Sequence, residues 1–138
     1  MSKATAPDPA VGVWKLNLVE SSFRLLPAPM RIMRVQAWGN GLKVSADDVD
    51  AQGNAVHLET AYKFNGKDYP FKGSSFVDTI SAKRINNRAS ESILKKRAKV
   101  VLTVRAVISV DGKTLRLART AKDPQGRAGD DVVVYDKQ

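Results

Sequence analysis

Cysteine is absent from the 138-residue chain, which excludes disulfides and thiolate metal sites and leaves the redox compartment unmarked. Histidine occurs once, as His57, so a zinc site of the His-rich kind cannot be assembled. No apolar run approaches the roughly 18 residues of a membrane-crossing helix, which excludes a transmembrane anchor of that type. The first ten residues, Met1 to Ala10, are small, polar and proline-containing and lack the apolar core of a signal peptide. They read as a flexible N-terminal segment. The expected location is cytoplasmic if the sequence is full length, and periplasmic or secreted if a leader was removed. No glycine-rich phosphate cradle is present. Asp47, Asp48 and Asp50 lack the alternating spacing and terminal glutamate of a calcium loop, and read as solvated turn residues. No segment holds a helical period long enough for a helix.

What is present is a balance of 43% apolar and 27% charged residues, the composition of a folded chain rather than a disordered one. This length fits one domain, and a domain of this size buries roughly two-thirds of its unfolded surface. Residues 11–138 are therefore read as a single domain. Lysine and arginine total 23 against 14 aspartates and glutamates, giving +9, a charge that favours anionic partners.

Short alternating segments separated by turn residues run almost throughout. Gly12–Leu18 reads as a first strand, with Trp14, Leu16 and Leu18 on one face. Val19–Met30, with Ser21, Ser22, Pro27 and Pro29, suits a loop or a short helical turn. Arg31–Trp38 and Leu42–Val49 flank Gly39-Asn40-Gly41, residues that tolerate positive φ. Ala55–Phe64 alternates clearly, with Val56, Leu58, Thr60, Tyr62 and Phe64 on one side and His57 and Glu59 on the other. Asp68–Lys72 is a short strand in which Pro70 predicts an edge or a bulge. Val77–Ile85, Arg88–Leu94 and Lys99–Ser109 follow, with a basic turn Lys95-Lys96-Arg97-Ala98. In Lys99–Ser109 the apolar face is Val100, Leu102, Val104, Ala106 and Ile108. Asp111-Gly112 is a strong hairpin signal. Lys113–Ala121, a turn at Asp123-Pro124-Gln125-Gly126 and Asp130–Asp136 complete the series. About ten strands at even spacing predict an all-β fold, and the lack of long connections favours an up-and-down antiparallel barrel over a Greek key. Closure would remove the exposed edges of such a meander.

Gly12-Val13-Trp14 at the opening of the first strand resembles the Gly-X-Trp signature of the lipocalins and their calycin relatives. The closing segment Val132-Val133-Val134-Tyr135-Asp136-Lys137 resembles the last strand of that superfamily. With Gly12–Asn17, Asn65–Pro70 and Asp111–Leu115, the chain resembles small bacterial lipocalin-like proteins over nearly its whole length. The resemblance implies a barrel of eight to ten strands around a cavity for a small apolar or amphipathic molecule. It also implies that Trp14 packs at the closed end as a structural plug. Fatty-acid-binding proteins, which open similarly, insert two helices after the first strand. Val19–Met30 is too short for them, so no helical lid is expected. Those proteins also hold a carboxylate with Arg-X-Tyr on the last strand, whereas here Val133 stands two places before Tyr135. Lipocalins often stack an arginine on the buried tryptophan, and Arg105, Arg116 and Arg119 all qualify.

Alternate residues of a barrel strand face the lumen. Leu58, Tyr62 and Phe64 are thus candidate pocket residues, with packed core as the competing role. Arg84, in register with Ile80 and Ala82, is a candidate cation for an acidic ligand head, since guanidinium suits carboxylate geometry. A rim position is its competing role. Ser90 and Ser92 would make the cavity partly polar if inward. Trp38 and Phe71, beside turns, are candidate gate residues. His57 is expected to face outward, and no nucleophile or acid–base pair stands out, so no catalytic residue, metal or cofactor is assigned. The leading expectation is a non-enzymatic carrier or sensor of a small apolar or amphipathic ligand, with an anionic head among the options. A basic module for nucleic acid or an anionic membrane is the first alternative. It has no aromatic stacking platform between Phe76 and Tyr135 to support it. An isomerase, cyclase or dehydratase acting in the lumen is the second.

Overall fold

The structure, a computed structural model, describes residues 8–25, 28–50, 52–122 and 128–138. The expected turn at 123–126 and the part of the N-terminal segment before residue 8 lie outside them. Ten strands follow one another, and no helix occurs among the described residues: β1 (Gly12–Leu16), β2 (Ile32–Trp38), β3 (Gly41–Val49), β4 (Ala55–Tyr62), β5 (Tyr69–Lys72), β6 (Thr79–Asn86), β7 (Ala89–Lys96), β8 (Lys99–Ile108), β9 (Thr114–Lys122) and β10 (Ala128–Lys137). Every neighbouring pair is antiparallel and consecutive in sequence, and β1 closes on β10 through Trp14↔Lys137, Lys15↔Asp136 and Leu16↔Tyr135. The result is an all-β, closed, up-and-down barrel, an architecture consistent with a calycin-like fold. Closure gives each strand two partners, so no row of backbone donors is left at an edge.

Period-two alternation places the core inside. The buried cluster takes Trp14 from β1, Val35 from β2, Leu42 from β3, Tyr62 from β4, Ile80 and Ala82 from β6, Leu94 from β7, Leu102 and Ile108 from β8, Leu115 from β9, and Val133 and Tyr135 from β10. Trp14 is wholly buried, and its indole Nε1 donates to the Ala10 carbonyl at 2.9 Å. Lys137, not one of the three arginines considered, lies over its ring, with Nζ 5.3 Å from the centroid. Lysine reaches that place because Lys137 is the register partner of Trp14. The hairpin expected at Gly39-Asn40 forms, with Gly39 at φ +59°. At Gly73, with φ +94°, a Cβ would collide with the His57 carbonyl oxygen, so the chain leaving β5 passes β4 at a distance only glycine permits.

Three expectations change. Pro70 is not at an edge: β5 sits between β4 and β6, and Thr60 Oγ1 donates to the Pro70 carbonyl at 2.8 Å. The barrel absorbs the missing N–H by making β5 short, with two register pairs on each side, Glu59↔Lys72 and Thr60↔Phe71 towards β4 and Tyr69↔Ile80 and Pro70↔Thr79 towards β6. β1 ends at Leu16, and Leu18 is exposed. Lys95 and Lys96 belong to β7, so the β7–β8 turn is only Arg97-Ala98. The register shift beside Leu94 and Lys95 leaves Val100 exposed instead of in the core.

The two barrel ends differ. At one end lie the β2–β3, β4–β5, β6–β7 and β8–β9 turns together with residues 8–11. There Pro9 accepts from Lys137 Nζ at 3.1 Å and Asp8 reaches Arg84 across the mouth. The other end is crossed by the β1–β2 connection, which is tied to β10 through the Ser22↔Val132 bridge and through Asp131.

Candidate functional site

The lumen is not filled. A cavity of about 240 Å³ runs inside the barrel. Its origin lies in side-chain size. The wall made by β6, β7 and β8 carries small inward residues: Ala82 is paired with Ser92, and Ser90 with Ala106. Ala46 adds a further small position on β3. Ten strands make a wider tube than the eight that side chains can just fill. Trp14, Met33, Leu58, Tyr62, Phe64, Phe71 and Tyr135 supply bulk, but alanine and serine on β6–β8 leave the remaining space open.

Of the residues singled out in the sequence, Leu58, Tyr62, Phe64, Phe71, Arg84, Ser90 and Ser92 line this one cavity. Trp38 does not. Val35 faces inward, so alternation turns Trp38 outward, where it meets Tyr69 edge-on at 6.0 Å and carries Lys63 Nζ 5.4 Å from its ring. His57 is exposed, as expected, with Nδ1 2.7 Å from Asp47 Oδ1. Asp48 is engaged by Arg31, and Asp50 caps its own turn by accepting from the amides of Gln52 and Asn54. No group of three or more histidine, aspartate or glutamate side chains suited to a metal occurs among the described residues.

The polar part of the lumen is concentrated at the end crossed by residues 8–11. Arg84, near the end of β6, is the register partner of Ser90. Its guanidinium lies over the Phe64 ring, 4.0 Å from the centroid, and Nη2 donates to Asp8 Oδ2 at 2.7 Å. Phe64 in turn packs edge-on against Tyr62 at 5.7 Å. Burial pushes the Tyr62 phenol up to about 12; the Asp8 carboxylate adds to the rise and Arg84 opposes it. The phenol is therefore a neutral donor at physiological pH.

No side-chain nitrogen or oxygen sealed from solvent lacks a partner among the described residues. The hydroxyls of Tyr62, Ser90 and Ser92 make no hydrogen bond to the described protein and are not sealed from solvent, and all three residues line the cavity. Apolar walls with a few convergent polar groups are the usual makeup of a small-molecule site.

At the other end the polar groups are used up internally. Arg119 meets Asp131 with two hydrogen bonds of 2.8 Å, and Asp131 also accepts from the amides of Arg24 and Leu25 at 2.9 Å each. Burial works to raise the Asp131 pKa, but Arg119 and these amides outweigh it and hold the carboxyl below its usual range. Tyr135 donates to the Met30 carbonyl at 2.6 Å, and burial holds its phenol well above the ordinary value.

Asp8 and Ala10 also border the cavity. Asp8 could not be found from the sequence, because it precedes the first strand and its partner lies 76 positions away. Trp14 carried a signal, but as a plug; it is both fully buried and part of the cavity wall. Compared with known proteins, the chain matches no family model, no curated protein and no solved structure.

Proposed function

We propose that the barrel binds and carries a small apolar or amphipathic molecule in its lumen, in the manner of a lipocalin-like protein. The supporting observation is the unfilled, largely apolar cavity of about 240 Å³ inside a closed barrel. An engineered apolar cavity of about 150 Å³ holds benzene, so this lumen suits a ligand of roughly ten non-hydrogen atoms. Driving force comes from removing the ligand's apolar surface from water, at about 25 cal/mol per Å². The hydroxyls of Tyr62, Ser90 and Ser92 would orient a polar end.

Trp14 borders the cavity and serves as the reporter, with Trp38 replaced by phenylalanine to remove the exposed fluorophore. Titration with medium-chain alcohols should change Trp14 emission saturably, and ligand at a hundred times its Kd should add about 2.7 kcal/mol to stability. An unchanged melting temperature and no bound mass in native mass spectrometry, across alcohols and acids alike, would sink the reading.

A further inference from the structure

Of Arg84 and Arg88, the cations that border the cavity at its polar end among the described residues, Arg84 is the one ion-paired there, and its carboxylate partner is not part of the barrel strands. Asp8 belongs to the segment before β1, which crosses the mouth and is held behind Asp8 at two points, Pro9 by Lys137 and Ala10 by the Trp14 indole. Asp8 Oδ1 is also taken by the Ala10 amide at 2.9 Å, which aims Oδ2 at Arg84. The Arg84 and Asp8 side chains keep 32% and 21% of their surface exposed. An ion pair so accessible to water is weak and exchangeable.

The surroundings offer more than Asp8 uses. The Tyr62 hydroxyl, on a side chain more than nine-tenths buried, lies within electrostatic reach of both Asp8 and Arg84 and has no hydrogen-bond partner among the described residues. Ser90, the register partner of Arg84, lines the same cavity and its hydroxyl likewise has no hydrogen-bond partner among the described residues. A carboxylate offers about four lone-pair sites on two oxygens. Guanidinium, phenol and serine hydroxyl together supply donors for them, and Leu58, Leu102 and Val104 offer apolar wall along the rest of the lumen.

Building on the carrier reading above, we infer that the ligand is a small amphiphile with a carboxylate head, seated against Arg84, Tyr62 and Ser90, and that the Asp8 carboxylate is an internal stand-in which the head displaces. Asp8 then acts as a competitor for its own site. It keeps Arg84 paired while the lumen is empty, and it sets the affinity for the ligand.

The test is calorimetric titration of the full chain with octanoate and with 1-octanol near neutral pH, on the parent protein and on D8N, R84Q and Y62F, each first shown to melt cooperatively. D8N should bind octanoate about tenfold tighter than the parent, while its octanol affinity moves by less than about twofold. R84Q should lose the preference for octanoate and retain octanol, and Y62F should weaken octanoate alone. Octanoate affinity unchanged in both D8N and R84Q would overturn the inference. Octanol binding with octanoate excluded from every variant would overturn it too, yet leave the carrier reading standing. Binding of neither probe to any variant would remove both.

Discussion

Asp131 is buried to 1% side-chain exposure against Arg119 at 6%, and in that setting each charge depends on the other. Taking two ions out of water is costly, and removing one partner of a buried pair typically loses about 3–5 kcal/mol, because the survivor stays desolvated. D131N should lose a comparable amount at neutral pH, read from urea unfolding. The pH dependence has a definite sign. The folded-state pKa of Asp131 is lowered, so its stabilisation is fully present above the unfolded value of about 3.9 and is lost as pH falls through the folded one. The gap between parent and D131N should therefore narrow below about pH 4. A gap that stays constant through that window would show that the carboxylate's charge is not what matters. Because Asp131 also holds the amides of Arg24 and Leu25, the same substitution should loosen the β1–β2 connection over its end of the barrel.

Among the elements, the β7–β8 hairpin is the most strained. Arg97 and Ala98 have φ of +51° and +67°, the two positive values of a type I′ turn, which suits the twist of paired strands. Neither residue favours that region, and the left-handed conformation costs L-residues roughly 1–2 kcal/mol each. The Asp78 carboxylate, accepting from the Arg97 amide at 2.9 Å, helps hold it. A98G should relieve the strain and raise stability by about 1 kcal/mol, measured as a higher urea midpoint at unchanged m-value. A loss of stability would mean that the Ala98 side chain makes contacts that outweigh the backbone cost. β5 lies at the opposite extreme: short and proline-containing, it is bridged to each neighbour by two register pairs, while β7 and β8 share eight from Ala89↔Val107 to Lys96↔Lys99.

The whole molecule trades packing for space. Its closed sheet has no seam at which to collapse further, so small residues on β6–β8 leave a cavity that the fold cannot squeeze out. Ala106 faces that space from β8, opposite Ser90 in register. A106F should occupy it, raising the melting temperature while abolishing uptake of any lumenal ligand, the usual exchange between a site and stability. If A106F destabilises the fold instead, the lumen is narrower at that level than the open volume requires. The pairs Arg31–Asp48, Lys43–Glu59, Arg105–Glu91 and Lys95–Asp68 are each neutral, so the net +9 is carried by the other basic side chains.

The strands, their order and the inward set were legible because alternation and turn residues are local. Val56 to Phe64 shows its faces without reference to any other part of the chain, and Asn65-Gly66 or Asp111-Gly112 marks its own reversal. The same alternation pointed to Tyr62 and Phe64 as lumen residues, but it left the face of Ser90 and the rim or lumen position of Arg84 open, and the barrel puts all four along one cavity. Trp38 was misplaced because its position beside a turn was weighed above its parity. Pro70 suggested an edge or a bulge because proline lacks a ladder donor, and the sequence does not show how short the pairing of β5 with β4 and β6 is. The pairing of Asp8 with Arg84, the placement of Lys137 on Trp14 and the anchoring of the β1–β2 connection by Asp131 were decided only in three dimensions. Each joins groups tens of positions apart, and such contacts arise from how the closed barrel brings its ends together, not from any pattern along the chain. Whether the lumen stays open belongs with them, because it depends on the summed volume of side chains converging from ten strands.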